Sequence, residues 1–294
     1  MESRCVPDRM HVSAPASAAN LGPGFDCMGL ALELRNEVTI GPATGAAVEV
    51  AVEGEGARAA PHGADNLFVR AFAAAGADPA GLRFAMRNRI PFYRGLGSSA
   101  ATIAAGVSAG LAWTGAGDDP LPTAVELEGH PDNVAAALMG GLTLAWTAAA
   151  GPMAARLQGA CPVDFVVAVP DDELPTRLAR DALPETVAHA DAAHTAARAA
   201  LLVAALQSGR TELLSEALDD RLHEPYRAPF VPLLDAVRGR LNGLPAYGAS
   251  ISGAGPSVLV WCERGAAPAV AESLAGVAPR VLQLAVADAS VVVA

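Results

Sequence analysis

The sequence predicts a mixed α+β chain in two halves. Three observations carry this. Val48, Val50 and Val52 alternate with Glu49, Ala51 and Glu53, the two-residue period of a half-buried strand. Residues 97–113 form a charge-free run rich in Ala, Gly and Ser. That run reads as a buried helix, shorter than the ~20 strongly apolar residues a membrane span needs. The pattern then changes after residues 148–151 and Pro152, which sets a boundary there and divides the chain into 1–150 and 151–294. The 294 residues are 52% hydrophobic and 17% charged, enough apolar material for a substantial core and too little charge for a disordered chain.

The elements follow in order. Residues 30–40 read as an extended strand that stops at Gly41-Pro42, and residues 48–53 as the next strand. A helix is expected over 66–75 and a strand over 82–90, closed by Pro91. A glycine-containing turn leads into the uncharged helix, which begins near Ser98. Helices over 121–128 and 133–139 precede a strand over 142–147. In the second half, 163–169 reads as a buried strand, 184–207 as the carrier of a long helix and 231–241 as another helix. Strands over 246–251 and 257–261 flank a glycine turn, and a helix over 269–275 precedes a last strand over 281–286.

Charge excludes some functions. With 20 basic and 31 acidic residues the net charge is −11, which leaves little room for the basic face a nucleic acid would need. The sequence contains no lysine, so a Walker P-loop and a Schiff-base lysine are both ruled out. Cys5, Cys27, Cys161 and Cys262 are far apart, with no metal-ligand spacing, and fit a reducing compartment better than a disulfide framework. Residues 1–10 are polar and carry no apolar signal region. A soluble cytoplasmic protein, off the membrane, is the expectation.

Four stretches carry chemistry. In residues 91–101 a strand ends, Gly95 and Gly97 turn the chain, and Ser98 and Ser99 open a helix of small residues. Free backbone N–H groups at a helix start form an anion site, although a glycine turn capped by serine has the same pattern. In residues 126–133 three carboxylates, His130 and Asn133 share a short stretch before a helix. It could present Glu128 to a hard cation, or simply cap the helix through Asp132 or Asn133. Residues 15–26 read as an irregular loop that exposes Asn20 and Asp26 between glycines. Residues 252–257 read as a hairpin turn.

Taken together and in this order, these stretches resemble the GHMP kinases. The resemblance runs from about residue 12 to at least 260. Within that family the loop before Asp26 and the loop around His130 are most similar to the branch whose acceptor is homoserine. The resemblance implies a two-domain α+β fold: an N-terminal half like domain 2 of ribosomal protein S5 and a ferredoxin-like C-terminal half, with ATP in the cleft between them. It further implies that Arg94, Gly95, Leu96, Gly97, Ser98 and Ser99 surround the triphosphate and that Asn66 meets adenine. Ser98 and Glu128 would hold Mg²⁺, and Asn133, Asp132 and Glu128 would form the catalytic group.

L-homoserine needs cations for its carboxylate, an acceptor for its ammonium and an aim for its hydroxyl. Thr176, Arg180, Leu183 and Pro184 match the family's Thr-x-x-x-Arg-x-x-Leu-Pro stretch, and Arg227 matches its second substrate arginine. Asn20, Asp26 and His130 are left for the ammonium and hydroxyl. Asn133 stands where some relatives carry a catalytic aspartate, and a neutral amide accepts no proton, so the expected reaction runs by positioning and charge neutralisation. Ala136 and the bulky Phe92-Tyr93 pair depart from the family pattern. Trp113, Trp146 and Trp261 are expected in the core, and the protein is expected as a monomer or homodimer. Two rivals are a kinase for another small alcohol and a catalytically silent sensor.

Overall fold

Runs of small residues and of alternating residues sort this chain into two largely antiparallel sheets. The structure, a computed structural model, describes residues 9–159 and 161–294, so Cys5 and most of the polar N-terminal stretch lie outside the described residues. The chain opens with β1 (Met10–Asn20), β2 (Gly24–Pro42) and β3 (Glu49–Gly54), then α1 (Leu67–Ala74) and β4 (Leu82–Asn88). Three helices follow, α2 (Ser98–Thr114), α3 (Pro120–Glu128) and α4 (Asp132–Met139), and then the hairpin β5 (Leu142–Ala148) and β6 (Gly151–Arg156). The chain continues through β7 (Asp164–Val169), α5 (Thr176–Asp181), α6 (His189–Ser208), α7 (Leu214–Ala217), α8 (Glu224–Arg227) and α9 (Leu233–Arg240). It closes with β8 (Ala246–Ile251), β9 (Val258–Cys262), α10 (Ala267–Ser273), β10 (Arg280–Leu284) and β11 (Val292–Val293).

The first sheet runs β11-β1-β2-β4-β3, with β5 added to β2 and β6 to β5. Only β3 and β4 are parallel, joined across α1. The second sheet has the order β10-β7-β9-β8, antiparallel throughout. Two sequence expectations are corrected here. Residues 15–20 are strand, not irregular loop: β1 is buried from Ala14 through Asn20, so its small residues show no alternation. The boundary at 148–151 is the turn of the β5–β6 hairpin, which stays within one sheet. The crossing to the second sheet lies between Arg156 and Asp164, and β11 then returns to pair with β1.

One core spans both sheets. Leu30, Leu32, Phe68, Phe84, Phe165, Leu206 and Trp261 belong to a single buried cluster, so the halves share apolar contact. A second cluster packs α9 and α10 against the outer face of the second sheet through Val231, Leu234, Val260 and Val270. The charge-free helix is α2, lying against α1 at close range: a Cβ on Gly106 would come within 2.6 Å of Ala71 Cβ and 2.7 Å of the Phe68 carbonyl. Trp261 is fully buried, but Trp146 is 46% exposed on the β5–β6 hairpin, against expectation. The long helix starts at His189, after the Pro184 stretch, and the 176–181 turn ahead of it is a separate helix. Cys27, Cys161 and Cys262 are free thiols, and burial pushes Cys262 up to about 12. Among the described residues, no helix is long and apolar enough to cross a membrane.

Phe84 is buried between Phe68 and Phe72, with ring centroids 5.7 and 5.4 Å away. Phe84→Ala should lower the unfolding free energy by about 3–5 kcal/mol, read from the urea midpoint. A change below about 1 kcal/mol would mean these rings do not pack as a unit.

Candidate active site

The glycine turn becomes a concave lining of N–H groups because three successive alternate residues take left-handed backbone: Tyr93 (φ 53), Gly95 (φ 69) and Gly97 (φ 66). Between them Leu96 points into the core and its carbonyl accepts from Ser17 N at 3.1 Å. Gly97 caps α2, whose first intrahelical bond runs from Ala101 N to the Gly97 carbonyl at 2.8 Å. The amides ahead of Ala101 therefore have no carbonyl from their own helix, and the dipole of a 17-residue helix ends among them. An alanine at Gly97 would be strained, and its Cβ would collide with Ser17 Oγ.

The carboxylates arrive from the end of α3 and the start of α4. Ser99 Oγ donates to Glu128 Oε2 at 2.6 Å. Glu128 is half-buried and makes no ion pair among the described residues, and burial pushes its carboxyl up despite the Ser99 bond and the nearby His130. His130 Nδ1 lies 3.1 Å from Asp132 Oδ1. Burial pulls this imidazole down, but the bond to Asp132 and the charges of Asp132 and Glu128 outweigh it and raise it overall. Asn133 is buried beside them: its Oδ1 accepts from Ser17 Oγ at 2.8 Å, and Asp132 Oδ1 accepts from its backbone N–H at 2.7 Å.

The third component joins the two sheets. Asn20 (φ 67) is buried, donating from Nδ2 to the Gly253 carbonyl at 2.7 Å and accepting from Asp26 N at 3.0 Å. Asp26 then takes the guanidinium of Arg180 in two bonds of 2.7 and 3.1 Å. Arg180 and Arg227 both lie over the Phe25 ring, at 5.9 and 5.1 Å from its centroid. Arg227 is buried without a carboxylate partner among the described residues. Its Nε donates to the Ala179 carbonyl, and its Nη1 faces the Gly253 carbonyl and His223 Nδ1. Burial, and then the charge of Arg180, pull Arg227 down. His223 stacks on Phe25 and its Nε2 faces the Gly22 carbonyl at 2.8 Å, which makes Nε2 the donor and leaves Nδ1 to accept from Arg227.

The structure thus brings together Asn20, Asp26, Arg180 and Arg227 in one cluster, through hydrogen bonds and the Phe25 ring. Gly95, Leu96, Gly97, Ser98 and Ser99 form the glycine loop, and Glu128, His130, Asp132 and Asn133 lie beside it. Thr176 is exposed in the first turn of α5. Three of the residues expected around the nucleotide and metal have partners within the protein itself. Ser99, not Ser98, faces Glu128: one residue is about 100° of helix rotation, a phase that sequence does not resolve. Asn66 is consumed by structure, since its Oδ1 caps α1 at Phe68 N and its Nδ2 donates to the Pro61 carbonyl. Arg94 turns away from the loop amides to the carbonyls of Phe92, Pro170 and Asp171 and to Glu173.

Sequence reasoning missed Ser17, Phe25, His223 and Asp220. Asp220 is buried and accepts from the backbone N–H groups of Leu222, His223 and Glu224, which seats the helix carrying Arg227. The usable signal was an acid three residues before His223, itself four before Arg227, the spacing of a capped helical turn.

Known proteins are similar to this chain in sequence and fold. Residues 66–141 match the model of the GHMP kinases N terminal domain, and residues 202–279 that of the GHMP kinases C terminal domain. The chain is 45% identical to a homoserine kinase of Streptomyces coelicolor over 281 residues, covering 91% of this chain and 88% of that protein. It is 46% identical over 267 residues to a homoserine kinase of Clavibacter michiganensis, covering 86% and 82%. A crystal structure of homoserine kinase from Cytophaga hutchinsonii superposes with a TM-score of 0.88 at 27% identity, covering all of both chains. Phosphomevalonate kinase of Streptococcus pneumoniae, at 16% identity and a TM-score of 0.69, shares the fold.

Gly97→Ala should weaken binding of Mg-ATP by about 5- to 150-fold in calorimetry, because positive φ and the Ser17 collision together cost about 1–3 kcal/mol. Unchanged affinity would place the anion site elsewhere.

Proposed function

The chain belongs to the GHMP kinases, and from that membership and the chemistry of its pocket we infer that it transfers the γ-phosphate of ATP to the side-chain hydroxyl of L-homoserine. The product is O-phospho-L-homoserine, an intermediate of threonine biosynthesis. The observation that carries the choice of acceptor is Arg227, a buried guanidinium with no carboxylate of its own. Burying an unpaired cation is costly, and a substrate carboxylate supplies the missing counter-charge. Its Nη2 makes no bond to the described protein and is free to donate, with Arg180 across Phe25 as the second fork. Asp26 accepts from the ammonium, and Asn20 holds the Asp26 backbone in its left-handed turn.

The phosphates are read as lying along the amides from Gly95 to Ser99, where the positive end of α2 opposes their charge. Glu128 and the Ser99 hydroxyl fit Mg²⁺: one half-buried carboxylate without an ion pair among the described residues, beside one hydroxyl, suits a hard ion that takes its other oxygens from water and phosphate. Bound there, Mg²⁺ neutralises charge on the β- and γ-phosphates. His130, held by Asp132, and Asn133, held by Ser17, face the acceptor hydroxyl and aim it. The Asn133 oxygen is taken by Ser17, so the amide presents Nδ2 as a donor, and no side chain is assigned as general base. Three free thiols among the described residues agree with a cytoplasmic enzyme.

A coupled assay for ADP release with Mg-ATP should show turnover with L-homoserine and none with L-serine, mevalonate or shikimate. Turnover with a control alone, or with none on folded protein that binds Mg-ATP, overturns the reading. Arg180→Ala should raise the homoserine KM by about 10–100-fold, the loss of charge-assisted bonds worth roughly 1.5–3 kcal/mol, with ATP nearly unchanged. An equal loss for both ligands refutes the assignment. Asn133→Ala should lower kcat by no more than about tenfold. Complete loss in a folded variant that binds both ligands would overturn the view that positioning and charge neutralisation carry the step without this residue.

A further inference from the structure

Arg94 opens the glycine loop, yet its guanidinium serves the other half of the molecule. Its Nε donates to the Pro170 carbonyl at 3.1 Å, Nη2 to the Asp171 carbonyl at 2.6 Å, and Nη1 to the Phe92 carbonyl at 2.7 Å and to Glu173 Oε1 at 3.3 Å. The preceding residue does the same with its backbone. Tyr93 holds a left-handed φ of 53, which a bulky residue adopts only under constraint, and its carbonyl accepts from Leu174 N at 3.0 Å. Residues 170–174 are therefore strapped to the loop by side chain and main chain at once.

The strap leads straight to the acceptor pocket. Leu174 is buried, Pro175 caps α5, and Arg180 lies one turn and a half further on, bonded to Asp26. Leu174 N is bonded to the Tyr93 carbonyl, and only Pro175 separates Leu174 from the helix that carries Arg180. A guanidinium makes this link well because its fork reaches three carbonyls from one planar group.

We propose that Arg94 is a positioning residue that couples the two ligands: through the 170–174 strap, seating of ATP on the glycine loop sets α5 and Arg180 for the amino acid. This deepens the homoserine kinase reading and rests on it. Coupling of this kind is reciprocal, so each ligand tightens the other by the same factor.

The test compares the homoserine Kd of the full-length protein with and without a non-hydrolysable Mg-ATP analogue. In the natural protein the analogue should tighten homoserine by about fivefold or more. In Arg94→Ala that ratio should fall to about one, while the analogue alone binds within about twofold of its natural affinity. Arg94→Lys, which keeps the charge and loses the fork, should lie between, and it carries the test should the alanine variant not fold. A large loss of analogue affinity without homoserine would make Arg94 a phosphate ligand and overturn the proposal. Equal weakening of both ligands with the ratio preserved would make it a merely structural residue and overturn it too. A natural protein that turns homoserine over with a ratio of one removes the coupling alone. A protein that binds no homoserine removes the coupling and the functional reading together.

Discussion

The carbonyl of Gly253 is the point on which the site depends, because it accepts from both Asn20 and Arg227 and so joins the first sheet to the helix of the second arginine. The surrounding turn tightens the same junction. Gly253 N donates to the Ala19 carbonyl at 3.1 Å, and Ser252 Oγ donates to the Gly95 carbonyl at 2.7 Å. A Cβ on Gly95 would collide with the Ser252 carbonyl, so loop and turn are in direct backbone contact. One glycine turn between two strands thereby orients the glycine loop, Asn20 and Arg227. Its near neighbours inherit that orientation: Asn20 sets Asp26, Asp26 takes Arg180, and Arg227 sits against His223 and Phe25.

Electrostatics explains how an acidic chain can hold anions. The net charge of −11 is spread over the surface, while the site concentrates backbone N–H groups and two guanidinium groups at short range. With no lysine in the chain, every cation is a planar fork that stacks as well as donates, and Phe25 provides the face for both site arginines. The buried shell is built to tolerate this. Burial holds His223 neutral in spite of the Asp220 charge, so Arg227 meets an acceptor and not a second cation. Asp220 spends its oxygens on three backbone N–H groups of the same turn and on Thr195, which keeps that turn in place. Glu224, raised by burial, is held by Arg238 and by Ile251 N, which fastens the turn to β8.

Much of this was legible in the chain. Val48 to Val52 announced β3 by period, the charge-free run announced α2, and the ordered motifs pointed to the family. What the sequence left open was the protein partner of each residue. Arg94 adjoins the glycine loop in sequence and points at residues about eighty positions away, and Asn66, chemically suited to a purine, is used up capping α1. Residues 15–20 looked like loop because a strand covered on both faces needs small side chains and no alternation.

The sequence by itself determined many of the elements and the family, because propensity, hydrophobic period and motif order are local or linear properties. Tertiary structure decided which atoms meet. That Ser99 and not Ser98 serves Glu128 is a matter of helix phase, and that Asp220 seats Arg227 is a matter of a turn's hydrogen bonds. That the chain changes sheet after Arg156, not at the turn of the hairpin before it, depends on strand pairing. Each depends on rotations of a few tens of degrees and contacts a few ångströms long between segments distant in the chain, and those are set only when the shared core closes.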